Sequence, residues 1–365
     1  MRLTTMIREA VLDITSGTTR AAAFALVLAA VTVLLGGADV VAIAGIEQQA
    51  DRFRADGGST LVYRLPRAID GAACDGLRSV EGVAAAGAVR QVKPGYTPAA
   101  LPREPIPTYE VSPAFGGFTA LGDSRAGTGV LISRDVAETM SANVGSSLSL
   151  REGETRVAGV FSYPSDGRRP GFGYAVLVPS DVVQPYDECW VEAWPVSDQL
   201  LSVFPSTLEG GRAPSSGLSG GSVQGPQLLQ LNASHGSTFD GAAAFDSRVT
   251  RVGPIVLALV GLVLGAVAIG RRKLEVASSR HAGVAAVAIS LQLVLESLCW
   301  SAIGALAALA SLSVLIAAAG SSSPPVLWEV GARALAAALI GPALGALVRT
   351  ATIREAHLFE HFKTR

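Results

Sequence analysis

The residue whose chemistry is hardest to accommodate is Glu296, a carboxylate inside the apolar run from Val284 to Ala319. A charge near the centre of a membrane helix costs about 2.5 to 3.5 kcal/mol, so Glu296 has to face protein or water and not lipid. It then serves as an intramembrane polar contact between spans or as a hinge. The run is longer than one bilayer crossing, which leaves a second reading, with Glu296 near an interface. Just ahead of it, Arg271 to His281 forms a basic amphipathic connection of the kind that lies in a partner's groove: Leu274 and Val276 supply apolar contact, and Arg271, Arg272 and Glu275 set orientation. The same arginines also anchor topology at the headgroups. Cys74 and Cys189 form a candidate disulfide, with two buried thiols as the alternative; Cys299 stands in an apolar run. HLFEH, His357 to His361, matches a zinc-peptidase pattern in its letters alone, with no room around it for a third ligand or a cleft, and no metal site is expected. His235 stands alone in a polar stretch. No spacing of serines and carboxylates singles out a nucleophile or an acid/base pair, so no catalytic residue is named.

Positioning these residues requires four apolar stretches: Ala21 to about Ala44, Pro254 to Gly270, Val284 to Ala319, and Leu327 to Val348. Each approaches or exceeds the ~18 residues needed to cross a bilayer. Arg2, Arg8 and Arg20 precede the first; Arg271, Arg272, Lys273 and Arg280 fill the second connection; Arg349, Arg354, Lys363 and Arg365 follow the last, while Gly320 to Pro325 carries no charge. The positive-inside rule then makes both termini and the second connection cytoplasmic, with the long middle segment outside, in a plasma membrane. Composition agrees, with 49% hydrophobic and only 16% charged residues. From Ile46 to Arg251 there are 22 acidic and 17 basic residues, which excludes the clustered basic face of a nucleic-acid binder. A cleaved signal peptide is the rival reading of the first stretch. Against it, the lead is long, carries Glu9 and Asp13, and spaces Leu3, Met6, Ile7, Ala10 and Ile14 as an amphipathic helix.

The outer segment reads as mixed α+β. A helical stalk, Asp39 to Asp56, stops at Gly57 and Gly58; if a matching stalk, Gly241 to Arg251, pairs with it, Arg248 and Arg251 face Glu47 and Asp51, and solvated charges are the more frequent alternative. Strands are predicted at Thr60 to Leu65, Val83 to Val92, Pro107 to Val111, Gly129 to Ile132, Ser147 to Leu150, Val157 to Phe161 and Tyr174 to Val178. Helices are predicted near Cys74 to Val80 and, capped by Ser133 or Asp135, through Met140. About two hundred residues can bury a core as two subdomains, and Pro205 to Pro226 reads as a loop that splits the second. In the spans, Gly261 with Gly265 and Gly341 with Gly345 have the small-xxx-small spacing of close helix packing, and Pro342 bends the last helix. Asp39 is placed at the interface, and Glu329 and Arg333 can pair across one turn.

Three stretches carry a family resemblance. SVEGVAAAGAV from Ser79 with GVLISRDVAETMSANVGSSLSLREGETRVAGVF from Gly129, RRKLEVASSRHAGVAAVAISLQLVLESLCWSAIGALAALA from Arg271, and MIREAVLDITSGTTRAAAFALVLAAVTVLLG from Met6 together resemble the FtsX/MacB-like permeases, membrane subunits of type VII ABC transporters. Ser180 to Pro226 does not align. The resemblance implies four transmembrane α-helices plus a mixed α+β extracytoplasmic domain inserted between helices 1 and 2. The divisions are 1–19, a cytoplasmic amphipathic helix; 20–56, first span and stalk; 57–240, the extracytoplasmic domain; 241–270, stalk and second span; 271–283, the coupling loop; 284–319 and 327–348, the last spans; and 349–365, a cytoplasmic tail.

It also implies mechanotransmission: an ABC ATPase subunit uses ATP and Mg, and this chain, which binds no cofactor, passes the motion to its outer domain to export or extract a peptide or lipid-like substrate. The absence of a G-x-x-x-x-G-K-[ST] phosphate cradle supports ATP hydrolysis in a separate subunit. The groove that receives Arg271 to His281 is then the ATPase's. Pairing as a homodimer, or with a second permease, is expected. The alternative is an FtsX-like regulatory subunit that controls an extracytoplasmic protein partner such as a cell-wall hydrolase.

Overall fold

The computed structural model describes residues 20–122, 128–181, 184–211 and 225–353. The amphipathic helix of 1–19, the HLFEH tail and most of the Gly/Ser/Pro stretch lie outside the described residues. The chain divides into two compact units, Met1–Gln48 with Asp240–Arg365, and Gln49–Phe239.

α1 runs unbroken from Ala21 to Ala55. It ends where expected: Gly57 adopts φ +88°, and Gly58 N donates to Phe53 O, closing the last turn in the way only a left-handed residue allows.

The unit that follows is one nine-stranded sheet, not two subdomains. In chain order it contains β1 (Thr60–Ile69), α2 (Gly71–Gly76), β2 (Val83–Tyr96), β3 (Ile106–Val111), β4 (Val130–Ser133), α3 (Arg134–Thr139), β5 (Ser147–Leu150), β6 (Gly153–Phe161), β7 (Val176–Pro179), β8 (Tyr186–Ala193), α4 (Asp198–Val203) and β9 (Gln227–Gln230). The strand order is β5-β6-β4-β7-β3-β2-β8-β1-β9, antiparallel except for β3 with β7 and β4 with β6. Asp70 caps α2 through Ala72 N and Ala73 N, and Ser133 caps α3 through Val136 N.

β8 is the strand the sequence hides, because Asp187, Glu188 and Glu192 break its apolar signal. It pairs with both β1 and β2 and divides the core between its two faces. Trp190 packs with Phe115, Phe118, Phe161 and Phe172 on one side. Cys189, Val191 and Ala193 pack with Tyr63, Leu200 and Phe204 on the other.

On that second face Cys189 is bonded to Cys74 of α2, closing a separation of 115 residues. Cross-linking so distant a pair restricts the unfolded chain, typically by about 2 to 4 kcal/mol. Cys74→Ala with Cys189→Ala is therefore expected to lower the thermal midpoint of the purified chain, and reductant should lower the parent toward the variant. A parent indifferent to reductant would contradict the bridge's contribution.

The chain then enters α5 (Gly241–Ser247), breaks at Arg248 in an extended conformation, makes a 3-10 turn at Val249–Val252 and begins α6 (Gly253–Gly270). The expected second helical stalk is thus interrupted. Arg248 and Arg251 do not face Glu47 and Asp51. Arg248 Nε lies 2.9 Å from Asp39 Oδ1 in a buried pair, and Arg251 lies 3.9 Å from Asp246 at the surface. Asp39 is accordingly buried against protein.

α7 (Lys273–His281), α8 (Ala286–Ala319) and α9 (Pro324–Thr352) complete the fold. Four helices, Ala21–Ala55, Val249–Gly270, Ala286–Ala319 and Pro324–Thr352, are long and apolar enough to cross a membrane, as a multi-pass membrane protein requires. Glu329 and Arg333 pair across one turn of α9.

The two glycine pairs meet each other. A Cβ on Gly265 would lie 2.2 Å from Pro342 O, and one on Gly345 would lie 2.0 Å from Leu262 O, so α6 and α9 touch backbone to backbone. Pro342 stays within a continuous helix and seats its ring against Gly261.

Candidate functional site

The basic connection folds into α7, whose nine residues sort by helical spacing. Glu275 and Ser278, three residues apart, are exposed, and so is Arg271, which caps α6 just ahead of the helix. Val276 and Ala277 are buried in a cluster with Ile269, Ile289, Leu293 and Ala346 from α6, α8 and α9. Leu274 is half-buried.

Ion pairs fix this orientation. Arg272 Nη1 donates to Glu296 Oε2 at 2.6 Å, and Arg272 Nε donates to Glu275 Oε2 at 2.8 Å. Glu296 is 4% exposed and is the eleventh residue of α8, so its charge is met by a guanidinium reaching in from the connection. Such a pair satisfies the need for protein contact while drawing the connection onto α8.

At the other end of α7, Arg280 Nη2 donates to Thr350 O at 2.9 Å and Nη1 donates to Ile353 O. Those carbonyls belong to the end of α9, where no intrahelical donor remains and a cation is favoured. The short helix is thus fastened to two spans.

This geometry redistributes the residues expected to meet a partner. Arg272 and Val276 turn inward, so the orienting charge and apolar contact expected of them are made within the chain itself. Arg271 and Glu275 remain outward, joined by Ser278, which the sequence reading overlooked because a serine carries no pattern of its own. Arg280 was read only as a topology marker; its role as a cap depends on a tertiary approach to α9 that spacing does not reveal.

In the sheet unit the last turn of α1 is held by a second set of contacts. Glu192, wholly buried, accepts from Thr119 N at 2.7 Å and Thr119 Oγ1 at 2.6 Å, with Arg54 of α1 at 4.0 Å. Phe53 packs against Trp194 and Phe239. Arg168 Nη2 donates to Ala55 O at 2.9 Å, and Asn232 Nδ2 donates to Asp56 O at 3.0 Å. Elsewhere on the sheet, Glu188 accepts from Trp190 Nε1, and Arg169 and Arg64 flank it. A cavity of about 290 Å³ near the disulfide is lined by Asp70, Asp75, Asp181 and Glu209 with Tyr186. Burial pushes the Asp75 carboxyl above the ordinary range, opposed by hydrogen bonds from Ser112 and Ala114 and by the charge of Arg78.

No protein-family model and no curated protein matches the chain. Among solved structures, it has a weak likeness to the crystal structure of the periplasmic region of MacB from Actinobacillus actinomycetemcomitans, with 10% identity and a TM-score of 0.32 over 41% of this chain and 82% of that one.

No group of three or more metal-ligating side chains occurs among the described residues. Around α7, buried charge pairs fix the helix against α8 and α9 and leave Glu275 and Ser278 exposed.

Proposed function

We propose that the chain is the membrane permease subunit of an ABC transporter of the mechanotransmission type. A separate ATPase uses ATP and Mg, and the chain carries the resulting motion to its sheet domain to export or extract a peptide or lipid-like substrate. The observation that carries this reading is α7: it turns Glu275 and Ser278 outward while Arg272 and Arg280 tie it to α8 and α9. A short helix held at both ends and exposed along one stripe receives a push without absorbing it. At its far end α1 is fixed to the sheet through Glu192 and Phe53.

In this reading the basic ends of the spans and both termini are cytoplasmic, the sheet domain lies outside, and the permease works as a dimer or beside a sister permease. Ser278→Trp places bulk on the docking stripe without touching either fastening. It is expected to abolish recovery of an ATP-binding-cassette ATPase when the tagged full chain is purified from native membranes, with the amount of permease unchanged. The reading fails if the parent chain brings down no such ATPase, or if the variant brings down as much as the parent.

A further inference from the structure

Most cations at the connection end of the helices are engaged by the chain itself, as Arg272 and Arg280 show. Arg271 and Arg349 differ: both are exposed, and neither is ion-paired with another described residue. Arg271 caps the C-terminus of α6, and Arg349 lies in the last turn of α9.

Arg349 lies against Gly270, the residue that precedes Arg271 in the chain. A Cβ there would lie 3.4 Å from Arg349 Nε and 3.7 Å from Nη2, so this guanidinium rests on the backbone beside Arg271. Helix dipoles favour cations at such ends by about 0.3 to 1 kcal/mol each, but they engage only the carbonyl side and leave the outward N–H groups without acceptors. Two exposed guanidinium groups carried by adjoining helix ends, neither ion-paired with a described carboxylate, offer donor forks of the kind that match the oxygens of a phosphate. Both belong to helices of membrane length, so phosphate at this level is carried by lipid.

We infer that Arg271 and Arg349, packed across Gly270, bind the phosphodiester headgroup of an anionic phospholipid. The site depends on the helices crossing a membrane and not on any ATPase, so its test uses the purified full chain alone.

In detergent, phosphatidylglycerol is titrated against the thermal midpoint, with phosphatidylcholine and inorganic phosphate as parallel arms. Phosphatidylglycerol is expected to raise the midpoint saturably, and the other two to have little effect. Arg271→Gln with Arg349→Gln should shift the half-effect concentration upward about tenfold. Arg333→Gln, at a residue paired with Glu329, should titrate like the parent. Should the double variant fold poorly, Arg271→Gln alone, at an exposed position, is expected to shift it about threefold. Equal responses to the two lipids, or a Gln variant that titrates like the parent, would overturn the site. Inorganic phosphate acting as strongly as phosphatidylglycerol would overturn its assignment to lipid.

Discussion

Asp39→Ala is expected to destabilise the helical unit by about 3 to 5 kcal/mol, because it leaves Arg248 buried without a counter-charge. Both side chains are almost wholly enclosed, at 5% and 7% exposure, and Arg248 Nε sits 2.9 Å from Asp39 Oδ1. The same oxygen accepts from Thr250 Oγ1, and the guanidinium lies over the Phe245 ring and donates to Phe245 O. Arg248 and Thr250 lie in the break between α5 and α6, so removing the carboxylate unsettles the entry to the second span as well. Asp39→Asn keeps an acceptor and should fall between the parent and Ala. Replacing the pair together, Asp39→Leu with Arg248→Met, should recover most of the loss, since apolar groups of similar volume carry no desolvation cost. Thermal unfolding in detergent measures all three. A double variant no more stable than Asp39→Ala would remove the unpaired charge as the cause.

The second large effect is steric. Gly345→Leu puts a side chain where Leu262 O would lie 2.0 Å from its Cβ, and the obstacle is backbone that cannot rotate away. Ordinary overpacking costs about 1 to 3 kcal/mol; here α6 and α9 must separate along their whole contact, so the loss is expected at or above that range. Even Gly345→Ala should lower the yield of folded protein in membranes. Gly331→Ala is the control, because its Cβ meets only Ile316 Cδ1 at an ordinary 3.8 Å. If Gly345→Ala and Gly331→Ala behaved alike, the backbone contact would not be what holds these helices.

Hydropathy and charge made the helical unit legible, since span length and basic flanks act over many residues at once. The small-residue spacing also identified the glycines that meet, although not that the two pairs face each other, which is a tertiary fact. In the sheet, strands with clean alternation such as Ser147 to Leu150 were readable. β8 was not, because Glu188 and Glu192 are buried acids whose partners, Arg169, Arg54 and Thr119, lie far away in sequence. The pairing of β8 with β1 and β2 joins one sheet where the length of the segment allowed two subdomains. At α7 the pattern indicated an amphipathic helix but assigned both of its faces outward. Only the approach of Glu296 shows that Arg272 belongs to the inner one.

Fastening α7 at two points has a mechanical corollary. A load applied to it is shared at once: Arg272 passes part to the flank of α8, and Arg280 pulls on the terminal carbonyls of α9. Under the proposed mechanism a push on α7 would reach both helices together, with the short helix as their common handle.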